Sequence, residues 1–145
     1  MSARRASPHY AAITPERKTS MDLQWQRRTE LWLCLMDMRG LAPAPQVTVR
    51  RGADTYYLEQ QGERARIALA RALPAAQHVA ALHKLLGLLL PEASGGVPLR
   101  AWLARGQLWL AATAPPDSGA ELWASLAAQQ RRLLDRVTEP THENT

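Results

Sequence analysis

The sequence predicts an α+β fold: helix, three antiparallel strands, helix, two-strand hairpin and C-terminal helix, with helices flanking a twisted antiparallel sheet. Three observations carry that reading. Residues 97–137 run strand, tight turn, strand, proline break and then one long amphipathic stretch. Residues 46–73 hold three short runs of alternating polarity, parted by glycine turns. Each β region follows a stretch whose apolar residues recur at helical spacing. A chain of 145 residues suits one domain, large enough for a single core and too short for two comfortable ones.

The elements follow in order. Residues 1–20 contain Pro8, Pro15, small residues and mixed charge without a sustained period, which predicts a disordered basic tail. The folded domain is expected to span 21–138, and the polar segment 139–145 to be a second disordered tail. A first helix is predicted over 22–39, with Leu31, Leu35 and Met38 in one stripe and Trp32 and Met36 widening it. Gly40 is its expected stop, and Pro43 and Pro45 keep it from resuming. The three strands that follow are QVTVRRG, with Val47 and Val49 alternating with polar neighbours, DTYYLEQQG, with Tyr56 and Leu58 opposite Tyr57, and RARIALARAL, with Ala65, Ile67 and Leu69 on one face. Ala, Leu and Arg favour helix as readily, so only the alternation speaks for the third strand.

Pro74 suits the first turn of a second helix running through Leu90. Val79, Leu82, Leu86 and Leu89 form one stripe, while Leu85, Leu88 and Leu90 make its end apolar nearly all round. A helix end of that kind must be covered by more than its own sheet, and a second subunit is a natural cover. The hairpin pairs 99–103 with 108–112 around Arg105–Gly106, and its leucines alternate with Trp102 and Trp109. Those tryptophans therefore point away from the core face, toward solvent, an interface or a second helical layer. Ser118 stands three residues before Glu121, the spacing of a capping box, and Leu122, Trp123, Leu126, Gln130, Leu133, Leu134 and Val137 continue at helical spacing.

Composition narrows the function. Net charge is +5, but Arg4, Arg5, Arg17 and Lys18 against Glu16 place three of the excess charges in the first twenty residues. Arg50–Arg51 and Arg131–Arg132 read as solvated faces. Neither a dense basic stripe interleaved with aromatics nor a helix-turn-helix signature is present. No apolar run approaches the roughly 20 residues that span a bilayer, and LLGLLL is cut by Pro91. A cytoplasmic protein with neither membrane segment nor secretory signal is expected.

Chemistry is equally sparse. Cys34 is the lone cysteine, set in an apolar helix without an adjacent base, which predicts a buried packing role. His78 and His83 are five apart, which turns them away from one another on a helix, whereas metal pairs favour four. Gly95–Gly96 lacks the lysine and hydroxyl of a phosphate loop. No paired carboxylates sit where acid–base work needs them. A non-enzyme without metal or cofactor is the expectation, with a small basic regulatory protein binding nucleic acid as the alternative.

The element order resembles that of the CesT/Tir-type, or class I, type III secretion chaperones. LHKLLGLLLPEASGGVPLRAWLARGQLWLAATAP is similar to their central helix and hairpin, and DSGAELWASLAAQQRRLLDRV to their closing helix. The likeness spans about 21–137 and rests on apolar spacing. It implies a homodimer in the bacterial cytoplasm that wraps an extended segment near the N-terminus of a secreted effector and keeps it soluble for export. A separate secretion ATPase would be a further partner. By position, Val79, Leu82, Leu86, Leu89, Leu99, Ala101 and Leu103 match the dimer-forming region. Trp32, Leu35, Met36, Val47, Val49, Tyr56 and Leu58 match the effector-holding surface. The chain departs from such chaperones in being basic where they are typically acidic, and in its longer N-terminal extension.

Overall fold

A computed structural model describes residues 22–90 and 95–138, so both expected tails lie outside the described residues. Helix α1 (Leu23–Leu35) leads into strands β1 (Gln46–Arg51), β2 (Asp54–Gln61) and β3 (Arg64–Ala72). A 3-10 turn over Ala75–Gln77 opens helix α2 (His78–Leu86). The hairpin β4 (Leu99–Ala104) and β5 (Gln107–Thr113) and the long helix α3 (Ala120–Thr138) complete the described chain. The strands form one antiparallel sheet in the order β1-β2-β3-β5-β4, so β1 and β4 are its edges. The α+β architecture is the one read from the sequence.

Pleating divides the sheet into two faces. Val47, Leu58, Ile67, Ala112 and Leu99 lie opposite one another across the strands, as do Val49, Tyr56, Leu69, Leu110 and Ala101. These rows join Trp25, Trp32, Leu33, Leu85, Trp123, Leu126 and Leu134 of the helices in one apolar cluster. The other face contributes nothing to that cluster. On the central strand β3, Ala65, Ile67, Ala68, Leu69 and Ala70 are all buried, which explains why its alternation is weak in sequence. Gly52 and Gly62 turn the first two hairpins at positive φ. Arg105 and Gly106, both at positive φ, make the two-residue turn between β4 and β5 that suits the strand twist.

Three helix features differ from expectation. First, α1 ends at Leu35, well before Gly40. Asp37 takes a left-handed conformation (φ 57), its N–H donates to the Cys34 carbonyl at 3.0 Å, and the Met38 N–H donates to the Leu33 carbonyl at 2.8 Å. This is a Schellman ending, with Met38 and Leu33 both buried as its apolar closure. Asp37→Gly is expected to stabilise the fold by about 0.5–1 kcal/mol by relieving the left-handed aspartate. Urea denaturation would show this as a raised midpoint at unchanged slope. The Asp37–Arg39 pair lost in the exchange is exposed on both sides and adds little.

Second, the buried stripe of α1 is Trp25, Thr29, Trp32 and Leu33; Leu31 and Leu35 are exposed. Trp25 meets Trp123 at 5.2 Å, so burying the two large indoles of α1 against α3 sets the rotation of α1. Third, Ser118 forms no capping box. Its hydroxyl donates to the Pro115 carbonyl (2.6 Å) and accepts from Trp123 Nε1 (2.9 Å), tying the loop to the core indole. In addition, Pro74 precedes the 3-10 turn, and α2 gives way at Gly87 to a tightened turn in which the Leu88 N–H donates to the Leu85 carbonyl at 2.9 Å.

Candidate protein-binding surfaces

Among the described residues, two apolar surfaces remain on the helical side after the core closes. A groove of about 330 Å³ lies between the end of α1 and the middle of α3, lined by Leu35, Met36, Tyr56, Ala127 and Ala128. Arg51, Arg131, Arg132 and Asp135 rim it. Arg51 fixes its shape: Nη2 donates to the Met36 carbonyl at 2.7 Å and to the Asp37 carbonyl at 3.1 Å, holding the end of α1 to β1. The same guanidinium lies 5.9 Å from the Tyr56 ring centroid. Burial, and then the nearby Asp54 carboxylate, raise the Tyr56 phenol above its ordinary pKa against the pull of Arg131, Arg51 and Arg71. Tyr56 is therefore a neutral floor at physiological pH.

Leu35, Met36 and Tyr56 are thus brought together from the residues matched to an effector-holding surface. Trp32, Val47 and Leu58 are buried in the core, Tyr56 is buried as well although it lines the groove, and Val49 packs partly buried against the cluster. The groove's arginines, read from sequence as solvated faces, are missing from that set. Pairs of adjacent arginines carry no local sign that an apolar helix seam lies between them.

The second surface is the outer side of α2 beside the edge strand β4. Ala81 and Leu85 face inward, while Val79 is 77% exposed, Leu86 53% and Leu90 60%. Leu82 and Leu89 are half-buried between them. Helix α2 packs on β4 and β5, where Leu99, Ala101 and Leu103 are half-buried on the helix-bearing face. Because among the described strands β4 pairs only with β5, its other edge leaves main-chain donors and acceptors without a described strand neighbour. All seven residues matched to a dimer region therefore share one side of the molecule. Leu90, part of the all-round apolar helix end, is exposed as well.

The catalytic candidates stay apart. Cys34, expected as buried packing, is instead an exposed thiol on α1, whose buried stripe is Trp25, Thr29, Trp32 and Leu33. His78 Nε2 lies 2.8 Å from the Leu73 carbonyl, and His83 is exposed. Among the described residues no group of three His, Cys, Asp or Glu side chains could hold a metal ion. No helix among them is long and apolar enough to cross a membrane.

A family model described as SsaM matches residues 22–137, nearly the whole described fold, and the chain belongs to the SsaM family. It is similar to a chain of the heterodimeric ExoU–SpcU complex from the type III secretion system of Pseudomonas aeruginosa, with 21% identity over 77% of this chain and 98% of that one and a TM-score of 0.49. It is also similar to YbjN from E. coli, with 10% identity over 81% of this chain and 91% of that one and a TM-score of 0.52. The likeness to YbjN shows a shared fold alone. No curated protein matches the sequence.

Proposed function

We propose that the protein is a type III secretion chaperone of the class I kind. In this reading it acts in the bacterial cytoplasm as a homodimer, binds an extended N-terminal segment of a secreted effector, and leaves energy-driven unloading to a secretion ATPase. The observation that carries the proposal is the pairing of an outward leucine stripe on α2 with the open edge of β4. An apolar helix face and unpaired strand edge on one side of a small domain are a liability in a monomer, and a two-fold axis covers both at once. Element order and apolar spacing like those of class I chaperones support the same reading. The α1–α3 groove, with apolar walls and an arginine rim, suits alternate side chains of an extended client. Two copies in a dimer would hold one long segment by avidity, without chemistry.

The test is the oligomeric state together with client retention. The wild-type protein is expected to sediment as a dimer at micromolar concentration, and Leu86→Asp to weaken the dimer at least about 100-fold, because the two-fold buries the new carboxylate twice. Leu35→Glu should leave the dimer intact and reduce co-purification of a co-expressed effector segment. A wild-type monomer that retains no such segment overturns the proposal. Binding that collapses steeply with salt would instead favour the nucleic-acid alternative.

A further inference from the structure

The face of the sheet opposite the described helices carries a third surface, distinct from the groove and the α2 stripe. Its centre is a floor of alanines: Ala68 is 4% exposed, Ala70 0% and Ala111 5%, although no helix among the described residues covers them. Aromatic rings do. Tyr57 lies across from Ala68, and Trp109 stands between Ala70 and Trp102 in the strand register. The Trp109 ring is 5.0 Å from Tyr57 and 5.6 Å from Trp102, with interplanar angles of 25° and 9°. Trp109 Nε1 donates to the Ala104 carbonyl at 3.3 Å.

Arginines border this stack. The Arg66 guanidinium lies 5.8 Å from the Trp102 ring centroid and 3.6 Å from Glu59. Beside it is an open hollow of about 480 Å³, lined by Arg64, Arg66 and Arg100 with Pro98, Ala111 and Thr113, and by no carboxylate among the described residues. Arg64 and Arg100 form no ion pair among the described residues. A smaller hollow of about 180 Å³, bordered by Tyr57, Trp109, Glu59 and Ala68, shares Arg66 with the larger one and has room for a single side chain.

We infer that this face binds an extended acidic segment of a partner protein, seating one apolar or aromatic side chain beside Trp109 and its carboxylates on Arg64, Arg66 and Arg100. Charge complementarity sets the sign of the occupant. Arg66 pairs with Glu59, and Arg64 also borders a hollow with Asp22, Glu63 and Asp117. Where Arg64, Arg66 and Arg100 converge, however, no described carboxylate lines the surface, and planar guanidiniums pair with carboxylates in two-point contacts. The aromatic geometry favours a polypeptide over nucleic acid. Base binding needs free ring faces, but here the rings engage one another and the Arg66 guanidinium. Five strands at roughly 4.8 Å spacing give a surface about 20 Å across, which six or so extended residues would cross. This inference does not rest on the secretion reading, because it uses the face opposite the helices.

The test uses the full chain and a short fluorescein-labelled peptide of glutamates around one central tryptophan, read by fluorescence anisotropy. Arg64→Glu with Arg100→Glu is expected to weaken binding at least tenfold, with circular dichroism and sedimentation unchanged because both side chains are exposed. The same charge change at Arg131 and Arg132, on the helical side, should alter it less than twofold. Replacing the peptide's glutamates by glutamines should abolish binding. The inference is overturned if the peptide does not bind, if both double variants lose affinity alike, or if an oligothymidylate occupies the face more tightly than the peptide.

Discussion

Trp32→Ala is expected to cost the fold about 3–5 kcal/mol, the range for removing a fully enclosed indole. Trp32 is 0% exposed and belongs to the cluster that joins α1 to α3 and the sheet. Its Nε1 has no hydrogen-bond partner among the described residues, so the substitution strands no acceptor and the loss is one of apolar burial and cavity formation. A domain of this size commonly holds only about 5–15 kcal/mol in total, so the variant should sit near its unfolding threshold. Leu35→Ala, on the exposed side of the same helix, should change stability by less than about 0.5 kcal/mol. Urea denaturation separates the two. Client retention by Trp32→Ala, corrected for the folded fraction, should match the wild type. A nearly unchanged midpoint with client retention abolished would show instead that this indole reaches the client.

That contrast marks where sequence reading succeeds and where it stops. Strand positions were legible because alternation and turn chemistry are local: Gly52, Gly62 and Arg105–Gly106 fall where the register needs them. The phase of Trp102 and Trp109 against the hairpin leucines placed both on the correct face. The helix rotation was less legible, because Leu31 with Leu35 and Trp25 with Trp32 are both acceptable helical stripes. Only the tertiary contact with Trp123 selects the second. The end of α1 was hidden for a related reason. Asp37 adopts the left-handed conformation that glycine usually supplies, and the nearby Gly40 drew the boundary too far. For the binding surfaces, alternation tells which strand residues share a face but not whether helices cover it, so Val47 and Leu58 could not be told from surface residues. The α2 stripe was legible because a helix apolar on more than one side declares excess surface by itself.

Arg71→Met is expected to be comparably damaging, for electrostatic reasons. Arg71 Nε and Nη2 donate to the two Asp54 carboxylate oxygens at 2.7 and 2.9 Å, Nη2 also lies 2.8 Å from Asp135, and Nη1 donates to Thr138 Oγ1 at 2.9 Å. One side chain on β3 thus clamps β2 beside it and the last turn of α3 above it. The hydrogen bonds that Arg71 donates to Asp54 raise its pKa above the usual guanidinium value despite burial, and the Asp54 and Asp135 charges add to that, so the guanidinium stays charged at any working pH. The methionine variant keeps the aliphatic stem but leaves the Asp54 carboxylate, only 13% exposed, without its counter-ion. Breaking a pair this buried typically costs about 3–5 kcal/mol, most of it from the stranded charge. The added substitution Asp54→Leu should therefore restore much of the loss, since the double variant buries no unpaired ion. Asp135 is more exposed and can turn to water, but it also borders the α1–α3 groove. The double variant should therefore regain stability even though Asp135 loses its partner. Urea midpoints of the two single variants and the double variant give the coupling directly; a sum of the single losses in the double variant would mean that water already reaches Asp54.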